Sequence, residues 1–125
     1  MALQVLLVED DELLRGLTAR ILRGLGHDVV AARTGPEALA ALAATPTLDV
    51  LFTDVKLGAD MDGVALARGA LAASPRLRVV LTSGDPSTFR LGADLGPRVA
   101  TMAKPYRRAQ IQVLLDEMAD PPPTA

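Results

Sequence analysis

Along this chain, short apolar runs alternate with longer stretches in which apolar positions recur at helical spacing. Val5–Val8, Asp28–Ala31, Val50–Thr53, Leu77–Thr82 and Val99–Ala103 are runs of the first kind. Their brevity and β-branched content predict strands. After the first run, Leu13, Leu14, Leu17, Ile21, Leu22 and Leu25 fall on one helical stripe. That stripe predicts a helix with its apolar face in the core, stopped at Gly26. Thr34-Gly35-Pro36-Glu37 places a hydroxyl three residues ahead of an acid, the spacing of a capping box, and opens a second helix. A third helix runs from Val64 to Ala73, with Pro75 shortly beyond. Asp85-Pro86 supplies a cap and a first-turn proline for a fourth, which Gly92, Gly96 and Pro97 keep short. Ile111, Leu114, Leu115 and Met118 mark a fifth.

Five strands alternating with five helices predict an α/β fold, doubly wound around a mainly parallel sheet with right-handed crossovers. In such sheets ligands bind beyond the carboxyl ends of the strands, so the residues just after each strand carry the functional argument.

Bulk properties narrow the classes. A chain of 125 residues suits one domain, expected over 1–119, with "DPPPTA" at 120–125 as a tail or linker stub. No apolar run reaches membrane-spanning length and the N-terminus lacks a secretory pattern, so a soluble cytoplasmic protein off the membrane is expected. The lack of cysteine excludes disulfides and thiolate metal sites. A net charge of −2 and only three aromatic residues, Phe52, Phe89 and Tyr106, argue against direct nucleic-acid binding.

The strand ends carry the chemistry. The first strand ends in Glu9-Asp10, the third in Asp54, the fourth in Thr82-Ser83 and the fifth in Lys104. Carboxylates crowded together repel, and a hard divalent cation relieves that repulsion. Magnesium needs only two or three of them and leaves coordination open for phosphate oxygens. Lys104 adds positive charge and Thr82 a hydroxyl donor. Such a set suits phosphoryl transfer to a carboxylate, by positioning and charge neutralisation. Asp11 reads equally well as a helix cap.

Four stretches, "VLLVEDDELL" (5–14), "LFTDVKLGADMDGVALA" (51–67), "VVLTSG" (79–84) and "MAKPY" (102–106), resemble the receiver domain of bacterial response regulators. They look most like receivers of hybrid histidine kinases or their stand-alone relatives. The resemblance implies a flavodoxin-like sheet of order 2-1-3-4-5. It implies Asp54 as the phosphoacceptor, with Mg2+ or Mn2+ held by Glu9, Asp10, Asp54 and the backbone carbonyl of Lys56. It implies Thr82 and Lys104 as phosphoryl-stabilising residues, and a cis bond between Lys104 and Pro105. The implied partner is a histidine kinase or histidine phosphotransfer protein, docking on the first helix, with a homodimer possible. The chain would then be no enzyme beyond its own phosphorylation and dephosphorylation. Two other readings stand beside it: a pseudo-receiver that binds partners without phosphorylation, and a small aspartate-nucleophile phosphatase.

The chain departs from the family pattern in places. Thr101 stands where many members carry an aromatic switch residue, so an aromatic-rotation readout is not expected. The loop after Asp54 is one residue longer than usual, and its acids Asp60 and Asp62 are expected in solvent. Lys56 either shields an acyl phosphate or points into water. Tyr106 is expected to be a packing or surface residue.

Overall fold

The computed structural model describes residues 2–58 and 61–119. The segment 120–125 and Asp60 lie outside the described residues. Strands β1 (Gln4–Val8), β2 (Asp28–Ala32), β3 (Val50–Asp54), β4 (Arg78–Ser83) and β5 (Val99–Ala103) pair in parallel, in the order β2-β1-β3-β4-β5. Helices α1 (Glu12–Gly24), α2 (Gly35–Ala44), α3 (Gly63–Ala73) and α4 (Arg108–Met118) connect or follow them. A 3-10 segment, Pro86–Leu95, joins β4 to β5. The expected α/β architecture and strand order are present.

Alternation along the strands divides the core into two layers. Leu6, Val8, Leu51, Val79 and Leu81 face α2, α3 and the 3-10 segment. Val5, Leu7, Val50, Phe52 and Val80 face α1 and α4, meeting Leu22, Ile111 and Leu115. Both faces of β1 and β3 are buried, which is why those strands read as continuous apolar runs. Each fully buried side chain of this kind contributes roughly 1.5–3 kcal/mol by leaving water.

Helix starts follow local chemistry. Asp11 accepts the Leu14 N–H at 2.9 Å, Thr34 that of Glu37 at 3.2 Å and Asp62 that of Ala65 at 2.7 Å. Each such cap contributes about 1 kcal/mol. Asp62 is exposed, as expected, and it is also the residue that caps α3. The helix expected after Asp85 does begin there, but as 3-10 turns. Gly92 packs so closely under Leu81 that a Cβ would meet Leu81 Cδ1 at 2.9 Å, and Gly96 ends the segment at φ +93°.

The leucine stripe of α1 requires a correction. Leu13 and Leu17 are 86% and 54% exposed, while Thr18, Ala19 and Leu22 are the buried positions. The helix is turned so that a polar residue, not the two leucines, faces the sheet.

Polar side chains close the amino-terminal rim of the sheet. His27 Nδ1 accepts the Leu3 N–H at 3.1 Å, and Asp49 accepts that of Gln4 at 2.8 Å. Arg98 donates to the carbonyls of Ser74 at 2.7 Å, Leu77 at 3.2 Å and Leu71 at 3.0 Å, and so closes the end of α3. At the outer edge of β2, the Arg23 guanidinium donates to the Val29 carbonyl at 3.2 Å. Among the described residues, no helix is long and apolar enough to cross a membrane.

Candidate functional site

The carboxyl ends of β1, β3, β4 and β5 meet at one rim. Register places Asp54 beside Thr82 on the neighbouring strand, and the Val55 N–H donates to the Thr82 carbonyl at 2.9 Å. Thr82 is buried. Lys104 follows β5 directly, and its N–H donates to the Ser83 carbonyl at 2.8 Å. The Lys104–Pro105 peptide bond is cis.

The lysine closes the cluster. Its Nζ donates to Glu9 Oε1 at 2.7 Å and to Asp54 Oδ2 at 2.9 Å. Glu9 is almost wholly buried, with 3% of its side chain exposed, against 12% for Asp54 and 20% for Lys104. Asp10 stands more exposed at the mouth. Carboxylate oxygens of Glu9, Asp10 and Asp54 all lie within 4.8 Å of one another. The structure thus brings Glu9, Asp10, Asp54 and Lys104 together, with Thr82 alongside. Lys56 lies in the loop that leaves β3, two residues past Asp54.

The electrostatics follow from burial. Removal from water pushes the Glu9 carboxyl up from its ordinary range; its bonds to Lys104 and to the Asp11 N–H pull the other way without cancelling this. Burial alone would lower Lys104, but the bonds from Glu9 and Asp54 outweigh it and hold the ammonium above its ordinary value. Lys104 therefore stays charged. Lys104 on the carboxylates and Arg15 at the Glu9 backbone face three acids, so the cluster keeps an excess of negative charge.

That donor set fits a hard divalent cation: all oxygen, mutually close and short of positive charge. Glu9, Asp10 and Asp54 would supply the carboxylates.

Neighbouring residues shape the pocket in ways the sequence reading left unassigned. A Cβ at Gly63 would lie 1.9 Å from the Asp54 carbonyl oxygen, so only glycine lets α3 start against the backbone of Asp54. The Gly63 N–H donates to the Val55 carbonyl at 2.6 Å. The Met61 side chain fills the space over Gly35. Arg15 reaches back from α1 to the Glu9 carbonyl at 3.0 Å. Tyr106 is half-buried: its hydroxyl is 2.8 Å from that of Thr18, and its ring meets Phe52 edge-on at 5.7 Å. The "MDG" motif held a signal for Gly63; nothing local in the sequence links residues 18 and 106.

A parallel sheet of this order, with acids at the ends of its first and third strands and a lysine after its fifth, is the architecture of a receiver-type signalling domain. The response regulator receiver domain family matches residues 5–116, and the chain belongs to that family. A gliding motility regulatory protein of Myxococcus xanthus is 35% identical over 99 residues, which span 75% of this chain and 12% of that protein. This chain therefore corresponds to a small part of that relative. Among solved structures, the receiver domain of the hybrid histidine kinase CckA superposes with a TM-score of 0.77 at 27% identity, covering 94% of this chain and 99% of that one. NtrX from Brucella abortus gives 0.84 at 29% identity, over 94% of this chain and 27% of that one. A receiver domain protein from Clostridium thermocellum gives 0.84 at 19% identity over 93% of each chain, a likeness of fold.

Proposed function

We propose that this receiver domain, taken as residues 1–119, accepts a phosphoryl group on Asp54 from the phosphohistidine of a partner kinase or phosphotransfer protein. One observation carries the reading. Lys104, from the fifth strand, is bonded at once to acids from the first and third strands, and a third acid completes the cluster.

In the proposed reaction, Asp54 Oδ attacks phosphorus, the P–O bond forms and the P–N bond of the donor breaks. The imidazole leaves with that electron pair and takes a proton from water. Magnesium or manganese held by Glu9, Asp10, Asp54 and the Lys56 carbonyl would supply neutralisation of charge on the transferring oxygens. Lys104 turns from the carboxylates to a phosphoryl oxygen, and the Thr82 hydroxyl donates to another. The exposed Leu13 and Leu17 on α1 offer apolar contact for the partner beside the acceptor. The added charge then biases a two-state binding face.

Intact mass after incubation with acetyl phosphate tests this. The wild-type protein gains one phosphoryl group with magnesium and not with chelator, and Asp54→Asn gains none. Equal gain in Asp54→Asn would remove the acceptor assignment.

A further inference from the structure

Thr18 and Tyr106 lie outside the charged cluster, yet Tyr106 stands two residues past the lysine that closes it and is tied to Thr18. Thr18 is fully buried on the sheet side of α1. Tyr106 follows Lys104 by two residues, and the two hydroxyls are 2.8 Å apart across 88 positions of chain. The Tyr106 ring stands edge-on to Phe52, which precedes Asp54 by two on β3 and so shares its side of the sheet. Lys104 is thus fixed before its side chain by the 2.8 Å bond of its N–H to the Ser83 carbonyl, and after it by Tyr106.

This fixing matters because of what lysine is. Its ammonium is a point charge on a flexible four-carbon stem, so its placement depends on where the stem begins. A displacement of about 1 Å in a charged group that must meet a transferring phosphoryl oxygen lowers the rate. Packing alone does not account for the pair, because phenylalanine at position 106 would fill the same space against Phe52. Nor would a helix facing its core choose Thr18 over the leucines it leaves in water, unless the hydroxyl has a partner.

We propose that Thr18 and Tyr106 are positioning residues for Lys104, their hydroxyl–hydroxyl bond setting where the ammonium stands relative to Asp54. The proposal rests on the phosphoacceptor reading above. It links α1, through Tyr106, to the segment that carries the residue closing the site.

The test is the initial rate of Asp54-dependent mass gain from acetyl phosphate and magnesium, measured on the whole chain. Tyr106→Phe and Thr18→Val each slow it roughly threefold to tenfold, the factor for one lost hydrogen bond. The double variant is no slower than either alone. Thr18→Ser, which keeps the hydroxyl, stays near the wild-type rate. In a Lys104→Met background, already slow, Tyr106→Phe changes nothing further, because the residue through which it acts is gone. A Tyr106→Phe protein as fast as wild type overturns the proposal. So does the same fold-loss in both backgrounds, or a Thr18→Ser protein as slow as Thr18→Val, which would assign the effect to packing. If the wild type itself gains no phosphate on Asp54, the phosphoacceptor reading fails and this proposal with it; if it gains phosphate and the variants match it, only this proposal fails.

Discussion

At the amino-terminal rim of the sheet, His27 and Asp49 accept backbone N–H groups of Leu3 and Gln4, and Arg98 gives its guanidinium to three carbonyls. At the carboxyl-terminal rim, Glu9, Asp54 and Lys104 are satisfied by one another, with Asp10 crowding in. At the first rim, His27, Asp49 and Arg98 each meet fixed backbone partners, and such bonds add to stability. The second gathers side chains whose charges do not sum to zero. Such a rim is held in place by the rest of the fold and is completed by what it binds. The comparison separates residues that hold the molecule together from residues that the molecule holds ready.

Four substitutions break or sharpen that contrast, in order of decreasing effect. Gly63→Ala forces a methyl group onto the Asp54 carbonyl and strikes both functions at once. It should lower stability by about 3 kcal/mol in denaturant titration and also slow phosphorylation. Arg98→Ala leaves three carbonyls at the end of α3 without their donor. It should cost about 2 kcal/mol, while the phosphorylation rate of the folded fraction stays that of the wild type. Asp10→Asn should act in the opposite direction. Removing one of three crowded carboxylates raises stability in chelator by ~0.5 kcal/mol. Added magnesium then stabilises the wild type more than the variant, because it binds only a complete folded site. A loss of stability for Asp10→Asn in chelator would refute the claim that this rim is strained by its own charge.

The smallest effect concerns His27. Burial holds its imidazole below the ordinary 6.5, and its Nδ1 already accepts the Leu3 N–H, so the neutral form fits the fold. As pH falls through 6.5, the unfolded chain takes up a proton first. The contribution is therefore complete above that value and declines below it, until the folded form also protonates. Glu9, raised by burial, pulls the other way in acid, so the comparison must be with His27→Gln. The difference in denaturation midpoint between wild type and His27→Gln should shift against the wild type between about pH 7.5 and about pH 5.5.

Much of this was legible in the sequence, for local reasons. The strands announced themselves because β1 and β3 are buried on both faces, so Val5–Val8 and Val50–Phe52 are unbroken apolar runs. The caps Asp11 and Thr34 were legible because a cap needs only a side-chain oxygen and a nearby N–H. Asp62 is exposed, as expected of a loop acid, but its capping role was not read because it precedes Gly63 rather than an evident apolar stripe. The orientation of α1 was not legible. Six apolar positions span an arc wider than the helix buries, and the deciding contact comes from residue 106. The 3-10 form of Pro86–Leu95 was foreshadowed by its glycines, but its turn type depends on how closely Gly92 approaches Leu81. At the site, residue types at strand ends named the candidates. The extent of Glu9 burial and the two hydrogen bonds that Lys104 donates, to Glu9 and to Asp54, required the assembled sheet.

The Arg23 contact on β2 bears on how the molecule behaves in company. Val29 turns its carbonyl away from β1, toward open solvent, where an incoming segment would seek a ladder partner. That acceptor is already taken by a guanidinium, and a newcomer would have to displace a cation to register there. The margin beside Val30, which is 41% exposed, is in this way guarded against growth into a sixth strand.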